Sequence, residues 1–382
     1  MNSINNSERL STKESKDKLL NNKRLNSYNK NKLNKNLSRH NSKGKYVDKA
    51  SDFLLNASEY HKKAKHFYEI YSKEYDIDKN LNKLSEYKWI KKMIDKGTFE
   101  DKINAIANHI RSNPNKCLSY LDNLTSYLNN KNHRNSLYCI NVLKELYTKS
   151  ILDNKKYKSF VDNLQLHKNN NNNNNKDIKL NLKNDNKTNN INEISKDVLI
   201  SIYIEDFIHR KYYEFISFLE EKTKLDVVSS IKTSALTTLQ ELLKAKPERE
   251  EYILDLLIYK LGDPKHEISS HAISLLRNLQ EIHTNMSYVL LNRINNFIYN
   301  TNLSTENGVY HSLVLISQFK FIKNEQFVKY GLSMFFNLFN EYVEYNEERY
   351  YKFQEKIIKV LSSYFKTSLV MKDSSNVNML FI

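Results

Sequence analysis

Residues 231–282 carry the clearest periodic pattern in the chain and read IKTSALTTLQELLKAKPEREEYILDLLIYKLGDPKHEISSHAISLLRNLQEI. Apolar residues recur there once per helical turn, which is the pattern of an α-helix with one buried face. The two sets are Ile231, Ala235, Leu236, Leu239, Leu242 and Leu243, and then Ile268, Ala272, Leu275, Leu276, Leu279 and Ile282. Between the sets, Gly262-Asp263-Pro264 predicts a break in which the glycine ends one helix, the aspartate caps the next, and the proline occupies its first turn.

The same pattern continues on both sides of this stretch. Downstream we predict helices from about Met286 to Tyr299, from Ser304 to about Phe321, from Phe327 to Val343 and from Tyr351 to Phe365. Upstream, apolar stripes predict helices over Phe99–Ile110, Leu118–Leu128 and Leu137–Leu146. The predicted starts near Ile231, Pro264 and Ser304 are 33 and 40 residues apart, an interval typical of HEAT-type repeats. The predicted fold class is all-α, a HEAT/armadillo-like helical-repeat solenoid.

One upstream helix boundary has a clear capping signal, in residues 97–101, which read GTFED. Gly97 is expected to end one helix and Thr98 to cap the next. Asp101 stands three residues after Thr98, so it is placed to complete a capping box. Asn113-Pro114 then predicts the start of the following helix.

The composition favours helices over sheets. The chain of 382 residues has only 5 Gly and 3 Pro, whereas sandwiches, barrels and glycine-rich nucleotide-binding folds need many of both. No apolar run reaches 18 residues and the first thirty residues contain no hydrophobic segment, so neither a membrane span nor a secretory signal is expected. Cys117 and Cys139 have neither zinc-site nor disulfide-framework spacing, so we expect two reduced core thiols.

Positive charge is concentrated at the N-terminus. The net charge is +16, and the first fifty residues hold thirteen Lys and Arg against four Asp and Glu. We predict a disordered basic arm over residues 1–50 that contacts nucleic-acid phosphates or directs nuclear import. A compositional bias toward Lys and Asn is the alternative explanation of this charge. The candidate contact residues are Lys13, Lys16, Lys18, Lys23, Arg24, Lys30, Lys32, Lys35, Arg39, Lys43 and Lys45.

A second low-complexity stretch divides the rest of the chain. Residues 168–190 include seven consecutive asparagines and almost no apolar residue, which predicts a linker. The predicted domains are therefore the arm at 1–50, N-terminal helical repeats at 51–167, this linker, C-terminal helical repeats at 191–367 and a tail at 368–382.

The sequence contains no recognisable catalytic motif. It has no glycine-rich phosphate loop, no Cys-x-x-Cys pair and no nucleophile elbow. His266 and His271 lie five residues apart, whereas a zinc-protease helix needs its two histidines four apart. Glu205 and Asp206 are adjacent, so on a helix they point about 100° apart. We expect them to cap a helix or to pair with Lys or Arg on a neighbouring helix, and not to act as an acid–base pair. We predict a protein that is not an enzyme, with no metal, no cofactor and no small-molecule substrate.

Several segments, in the same order along the chain, are similar to the CCAAT-binding-factor family. They are residues 97–105, Glu205-Asp206, residues 231–236, residues 242–248, residues 260–264, residues 283–286, residues 302–304 and Tyr310. The resemblance covers roughly Tyr87 to Phe365, with Ile202-Tyr203-Ile204 where the family has an aromatic triplet. The family continues into a C-terminal half that this sequence does not contain, so we expect either a divergent short form or a fragment.

The resemblance implies a helical-repeat factor for assembly of the large ribosomal subunit, acting in the nucleus and nucleolus. It implies a second nucleolar-complex protein, pre-60S particles and ribosomal RNA as partners, and no membrane. Two alternatives remain open: a DNA-binding transcription factor of the CCAAT-binding type, and a general helical-repeat adaptor.

Overall fold

A computed structural model describes residues 45–78, 85–130, 132–167, 194–224, 227–300 and 305–319, with isolated helical positions between 329 and 362. Throughout these ranges the regular elements are helices, and no strand occurs in them. The helices are α1 (Lys45–Asp78), α2 (Ser85–Lys96), α3 (Phe99–Ser112), α4 (Leu118–Ser126), α5 (His133–Leu146), α6 (Lys196–Lys222), α7 (Ser229–Ala245), α8 (Glu250–Tyr259), α9 (His266–Ile282), α10 (Ser287–Ile298) and α11 (Glu306–Ser317). Residues 160–167 are also helical, and short 3₁₀ or π turns follow α4, α5, α8 and α9.

The chain divides into two units, residues 1–60 and residues 61–382. The boundary falls inside α1, and of the first unit the structure describes only the beginning of that helix. The architecture below is that of the second unit. The predicted linker at 168–190 and the predicted tail at 368–382 lie outside the described residues.

Helices of the second unit alternate between two layers. In the first layer, α3, α5, α7, α9 and α11 follow one another, and each packs against the next. In the second layer, α4 packs against α6 and α8 packs against α10. Helices that are consecutive in sequence also pack together across the layers, as α7 does with α8. This is the arrangement of a HEAT/armadillo-like helical-repeat solenoid, so the predicted fold class is confirmed.

A sequence offset of 34 residues joins two neighbouring pairs of the first layer, α3 with α5 and α7 with α9. Tyr138 on α5 donates its hydroxyl to Asn104 on α3 at 2.9 Å, and Thr237 on α7 lies 3.0 Å from His271 on α9. Three further pairs share the offset: Arg111–Glu145, Arg134–Glu100 and Lys244–Asn278. The repeat that periodicity predicted is thus visible as a ladder of side-chain contacts.

The sequence blocks on either side of residues 168–190 share one core. Tyr147, in the π turn Tyr147–Ile151, is fully buried. Its ring lies 5.1 Å from that of Tyr212 and 5.7 Å from that of Phe215, both of which are on α6. Offset and edge-on packing of large aromatic rings stabilises such a junction beyond the area it buries. The upstream and downstream helices therefore belong to one repeat array.

The predicted capping box is confirmed. Asp101 donates its N–H to Thr98 Oγ1 at 3.3 Å, and its carboxylate accepts the Thr98 N–H at 3.2 Å. The preceding glycine is needed for space, because a Cβ on Gly97 would lie 2.5 Å from the carbonyl oxygen of Met93. Gly97 and Thr98 are thus the only two residues between α2 and α3, and the capping box together with the close approach at Gly97 allows this short connection.

The predicted roles of Asp263 and Pro264 are wrong. Helix α9 begins only at His266, with Lys265 as its N-cap residue, so the proline lies before its first turn. Asp263 accepts the Lys265 N–H at 3.1 Å, ahead of the helix, and its side chain is fully buried. Capping rules consider only local residues, and the carboxylate is instead held by a lysine from another helix.

Both cysteines are free and buried, as predicted. Cys139 donates its thiol to the carbonyl oxygen of Leu124 at 3.3 Å, and burial raises the pKa of this thiol to about 12. Cys117 donates to the carbonyl oxygen of His109. The Cys139 thiol therefore stays protonated at neutral pH.

Candidate functional site

The predicted nucleic-acid contacts fall almost entirely outside the described residues. Of the eleven basic residues, Lys45 is the first residue of α1, and the ten from Lys13 to Lys43 precede the described part of the chain. Their contact with nucleic acid stays a prediction.

The densest group of buried titratable side chains surrounds Glu248, in the turn between α7 and α8. We call Tyr157, Asp206, His209, Tyr213 and Glu248 the Glu248 cluster. Three parts of the chain supply it: the segment after α5 supplies the first residue, α6 the next three, and the turn the last. Glu248 is only 5% exposed. One of its carboxylate oxygens accepts the backbone N–H of Tyr157 at 2.8 Å, and the other accepts the hydroxyl of Tyr213 at 2.5 Å.

The second carboxylate of the cluster is also fully engaged. Asp206 accepts the Tyr157 hydroxyl at 2.5 Å on one oxygen and Arg210 Nε at 2.9 Å on the other. His61 Nε2 lies 3.6 Å from the latter oxygen. Since Tyr157 donates its N–H to Glu248 and its hydroxyl to Asp206, it links two acidic side chains that lie far apart in sequence.

The histidine of the cluster is enclosed. His209 stacks on Tyr157 with ring centroids 4.3 Å apart, and its Nδ1 lies 3.9 Å from a carboxylate oxygen of Glu248. Among the described residues this Nδ1 has no hydrogen-bond partner. Burial lowers the pKa of the His209 imidazole, outweighing the attraction of the nearby carboxylates. The ring is therefore neutral at physiological pH.

The tyrosines of the cluster act as permanent donors. Burial, together with the hydrogen bonds to Asp206 and Glu248, raises the pKa of Tyr157 and of Tyr213 well above the usual value. Neither phenol ionises near neutral pH, so the two carboxylates keep their donors. These hydrogen bonds make the arrangement a joint between separate segments of the chain.

The neighbouring turn residues fasten the same joint. Lys246 donates to the carbonyl oxygen of Leu152 at 2.6 Å and to Asn154 Oδ1 at 2.9 Å. Arg249 has a left-handed backbone with φ of 55°, and its guanidinium lies 3.9 Å from the centre of the Tyr213 ring. A cation over an aromatic face offsets part of the strain of that backbone conformation.

A second buried joint connects α7 with the turn before α9. Lys232 Nζ lies 3.5 Å from Asp263 Oδ2, and both side chains are fully buried. Lys260 Nζ lies 4.0 Å from the same oxygen and donates to the carbonyl oxygen of Thr223. Burial lowers the pKa of Lys260, and Asp263 opposes that shift.

The segments that carry the family resemblance thus contain the residues of these two joints. Asp206 and Glu248 hold the first joint, and Lys232 and Asp263 hold the second. Asp206 pairs with Arg210 of its own helix, and not with a Lys or Arg of a neighbouring helix as expected, because the two side chains lie one turn apart on α6. Sequence reasoning missed Tyr157, His209 and Tyr213. The sequence feature that could have identified the α6 members is that Asp206, His209 and Tyr213 follow one another at intervals of three and four residues within a largely buried helix.

No group of three His, Cys, Asp or Glu that could hold a metal ion occurs in the part of the chain that the structure describes. His266 and His271 have separate neighbours: the first lies 3.3 Å from Ser270 Oγ and the second 3.0 Å from Thr237 Oγ1. Within the described residues, no helix is both long enough and apolar enough to span a bilayer.

Comparison with known proteins finds relatives, although no family model matches the chain. Human CCAAT/enhancer-binding protein zeta is 27% identical over 246 residues, which is 63% of this chain and 21% of that protein. Nucleolar complex protein 1 of Drosophila melanogaster is 26% identical over 239 residues, 62% of this chain and 19% of that protein. Ribosome biogenesis protein NOC1 of Chaetomium thermophilum is 32% identical over 102 residues, 27% of this chain and 10% of that protein.

The chain thus spans about a fifth of the length of the first two relatives. The resemblance noted in the sequence is confirmed by these matches. The chain is therefore similar, over about three fifths of its length, to CCAAT/enhancer-binding protein zeta and Nucleolar complex protein 1, relatives named for CCAAT binding and for a nucleolar complex.

Proposed function

We propose that this chain is a non-enzymatic helical-repeat scaffold in the biogenesis of the large ribosomal subunit. Its partners would be a second nucleolar-complex protein and pre-60S particles with their ribosomal RNA, and its location the nucleus and nucleolus. The names of the relatives, a nucleolar complex protein and a ribosome biogenesis protein, support this role. Because the chain matches only part of each relative, its partners are part of the proposal.

The observation that supports the scaffold role is that Glu248 and Asp206 form structural hydrogen bonds. Both oxygens of Glu248 and one oxygen of Asp206 accept hydrogen bonds that tie separate segments together. The other oxygen of Asp206 accepts Arg210 of its own helix. In an enzyme, a buried carboxylate beside a neutral histidine would face a substrate cleft. Here a stacked tyrosine covers the histidine. Such groups favour a stiff array that recognises its partners by shape and surface charge.

Affinity purification of the tagged chain tests this proposal. We expect precursor RNA of the large subunit and a nucleolar-complex protein to co-purify above the level of an untagged control. The matched comparison is the chain without residues 1–50. That variant should keep the protein partner, and its RNA binding should weaken and depend less on salt. Recovery of neither precursor RNA nor a nucleolar partner with the full chain would overturn the proposal.

The CCAAT-binding alternative is favoured by the names of the human and mouse relatives. It requires a recognition element that reads base edges in a groove. Binding of the purified chain to a CCAAT duplex and to a scrambled duplex of equal length separates the two functions. A scaffold binds both duplexes equally, whereas a transcription factor prefers the first by at least about 1000-fold.

The adaptor alternative predicts a different location. A general adaptor would be found outside nucleoli and free of large-subunit precursors. Cell fractionation followed by sedimentation of ribosomal precursors distinguishes it from the assembly factor.

A further inference from the structure

The chain contains one tryptophan, Trp89, and its side chain is 53% exposed on helix α2. Two other exposed aromatic side chains of the array have partners. Tyr252 donates to Glu220 at 2.5 Å, and the ring of Tyr288 lies 5.6 Å from that of Tyr330. Within the described residues, Trp89 makes no hydrogen bond and no ring contact. A large apolar surface of this kind marks an interaction site.

Lysines surround this tryptophan on the same helix. Lys88, Lys92 and Lys96 follow one another at intervals of four residues and are exposed, so they form a row with steps of about 6 Å along the helix axis. Trp89 lies one turn before Lys92 and two turns before Lys96, on the same side of the helix. We call Trp89, Lys88, Lys92 and Lys96 the Trp89 face.

The lysines of the Trp89 face differ from the lysines of the array that form ion pairs. Lys144, Lys156 and Lys211 each lie within 2.6 Å of a carboxylate oxygen, on Glu241, Glu250 and Asp122 respectively. No described residue forms an ion pair with Lys88, Lys92 or Lys96, although the exposed Asp95 is on the same helix. Their positive charge is therefore available to an anionic partner.

We propose that the Trp89 face binds single-stranded RNA, with a base stacked on Trp89 and successive phosphates held by the lysine row. This inference rests on the proposed role in ribosome assembly and names an RNA contact within the repeat array, separate from the arm. Sequence-tolerant binding of single strands combines an aromatic platform with a positively charged track. Protein interfaces are also enriched in tryptophan, but they are depleted in lysine. The combination on α2 therefore favours RNA over an acidic protein.

Intrinsic fluorescence tests the contact directly, because the full chain has a single tryptophan. Titration with an unstructured RNA 12-mer is expected to quench Trp89 as the base stacks on the indole. Polyglutamate supplies a similar charge without bases and should leave the emission nearly unchanged at equal occupancy. Equal quenching by polyglutamate, or no quenching by an RNA that binds, would overturn the proposal.

Substitutions separate stacking from charge. Trp89→Ala should weaken binding of the 12-mer by about tenfold or more, and Trp89→Phe should recover part of the loss because phenylalanine still stacks. Replacing Lys88, Lys92 and Lys96 by Gln should reduce the slope of log affinity against log salt by about 2, since each phosphate contact on a single strand contributes about 0.7.

The matched control removes three exposed lysines from α1, by Lys62→Gln, Lys65→Gln and Lys73→Gln. It loses the same charge and should retain full quenching of Trp89. If this control loses as much quenching as the α2 triple variant, the site is not on α2. Circular dichroism of each variant confirms that the helices are intact.

The outcomes also separate this inference from the proposed function. Quenching without recovery of large-subunit precursors from cells would leave the RNA contact standing and reject the assembly role. Recovery of precursors with Trp89 unquenched would keep the assembly role and reject the site.

Discussion

The hydroxyl of Tyr157 lies 2.5 Å from a carboxylate oxygen of Asp206, although the two residues are 49 positions apart in the sequence. The backbone N–H of the same tyrosine is bound by Glu248, 91 positions downstream. One side chain after α5 therefore fixes α6 to the turn between α7 and α8. This joint has consequences that unfolding experiments can measure.

Removing the Tyr157 hydroxyl should destabilise the array. Tyr157→Phe leaves a largely buried oxygen of Asp206 without its donor, and we expect a loss of about 2 kcal/mol in the free energy of unfolding. Urea unfolding followed by circular dichroism measures it. Tyr138→Phe is the control, because its hydrogen bond to Asn104 is exposed, and it should cost less than about 0.5 kcal/mol. Equal losses would contradict the role of Tyr157 as a joint.

His209 predicts a pH dependence with a defined sign. Burial lowers the pKa of His209 in the folded state below the ordinary value of 6.5, so the unfolded chain binds the proton more readily. Its contribution to stability is complete above pH 6.5 and is lost as the pH falls from there toward the lower folded-state pKa. The urea midpoint should therefore drop between pH 7.5 and pH 5.5.

Replacing the histidine isolates this contribution. His209→Phe keeps a ring against Tyr157 and should flatten the dependence over that pH window. The exposed His167 is the control, and His167→Gln should leave the dependence as in the parent chain. A parent-like slope in the His209 variant would show that another group is responsible.

The buried pair of Lys232 and Asp263 should be costly to break. Lys232→Met leaves Asp263 buried with only Lys260 at 4.0 Å, and we expect a loss of about 3 kcal/mol. The double variant Lys232→Met with Asp263→Asn should lose less free energy of unfolding than the sum of the losses of the two single variants, because no buried charge is then left without its partner. Lys224→Met, on an exposed lysine, is the control and should change stability by less than about 0.5 kcal/mol.

Two glycines allow α11 to approach the preceding repeat. A Cβ on Gly308 would lie 3.2 Å from the Cα of Gly262 and 3.2 Å from the Phe297 ring. Gly308→Ala should force the helix outward and destabilise the array by about 1–3 kcal/mol. Asn307→Ala, at the exposed position next to it, serves as the control and should be neutral within about 0.5 kcal/mol. A stable Gly308 variant would mean that the two helices can separate at little cost.

The sequence predicts what depends on neighbouring residues. The helical stripes between Phe99 and Ser317 and the box of Thr98 and Asp101 are local patterns, and the structure confirms them. The helices predicted over Phe327–Val343 and Tyr351–Phe365 lie largely outside the described residues. The Glu248 cluster is not local, because its members come from three segments whose proximity appears only once the repeats stack. The error at Asp263 has the same origin: the residues beside it predict a cap, whereas its burial is set by Lys232 on α7.

The 34-residue offset between contacting side chains has a mechanical consequence. Each rung of the ladder reaches only the adjacent helix of its layer, so strain introduced at one rung fades within a repeat or two. Bending can then be distributed over many small changes between adjacent helices. The array can adjust its curvature to a bound partner while the contacts of each rung stay nearly unchanged.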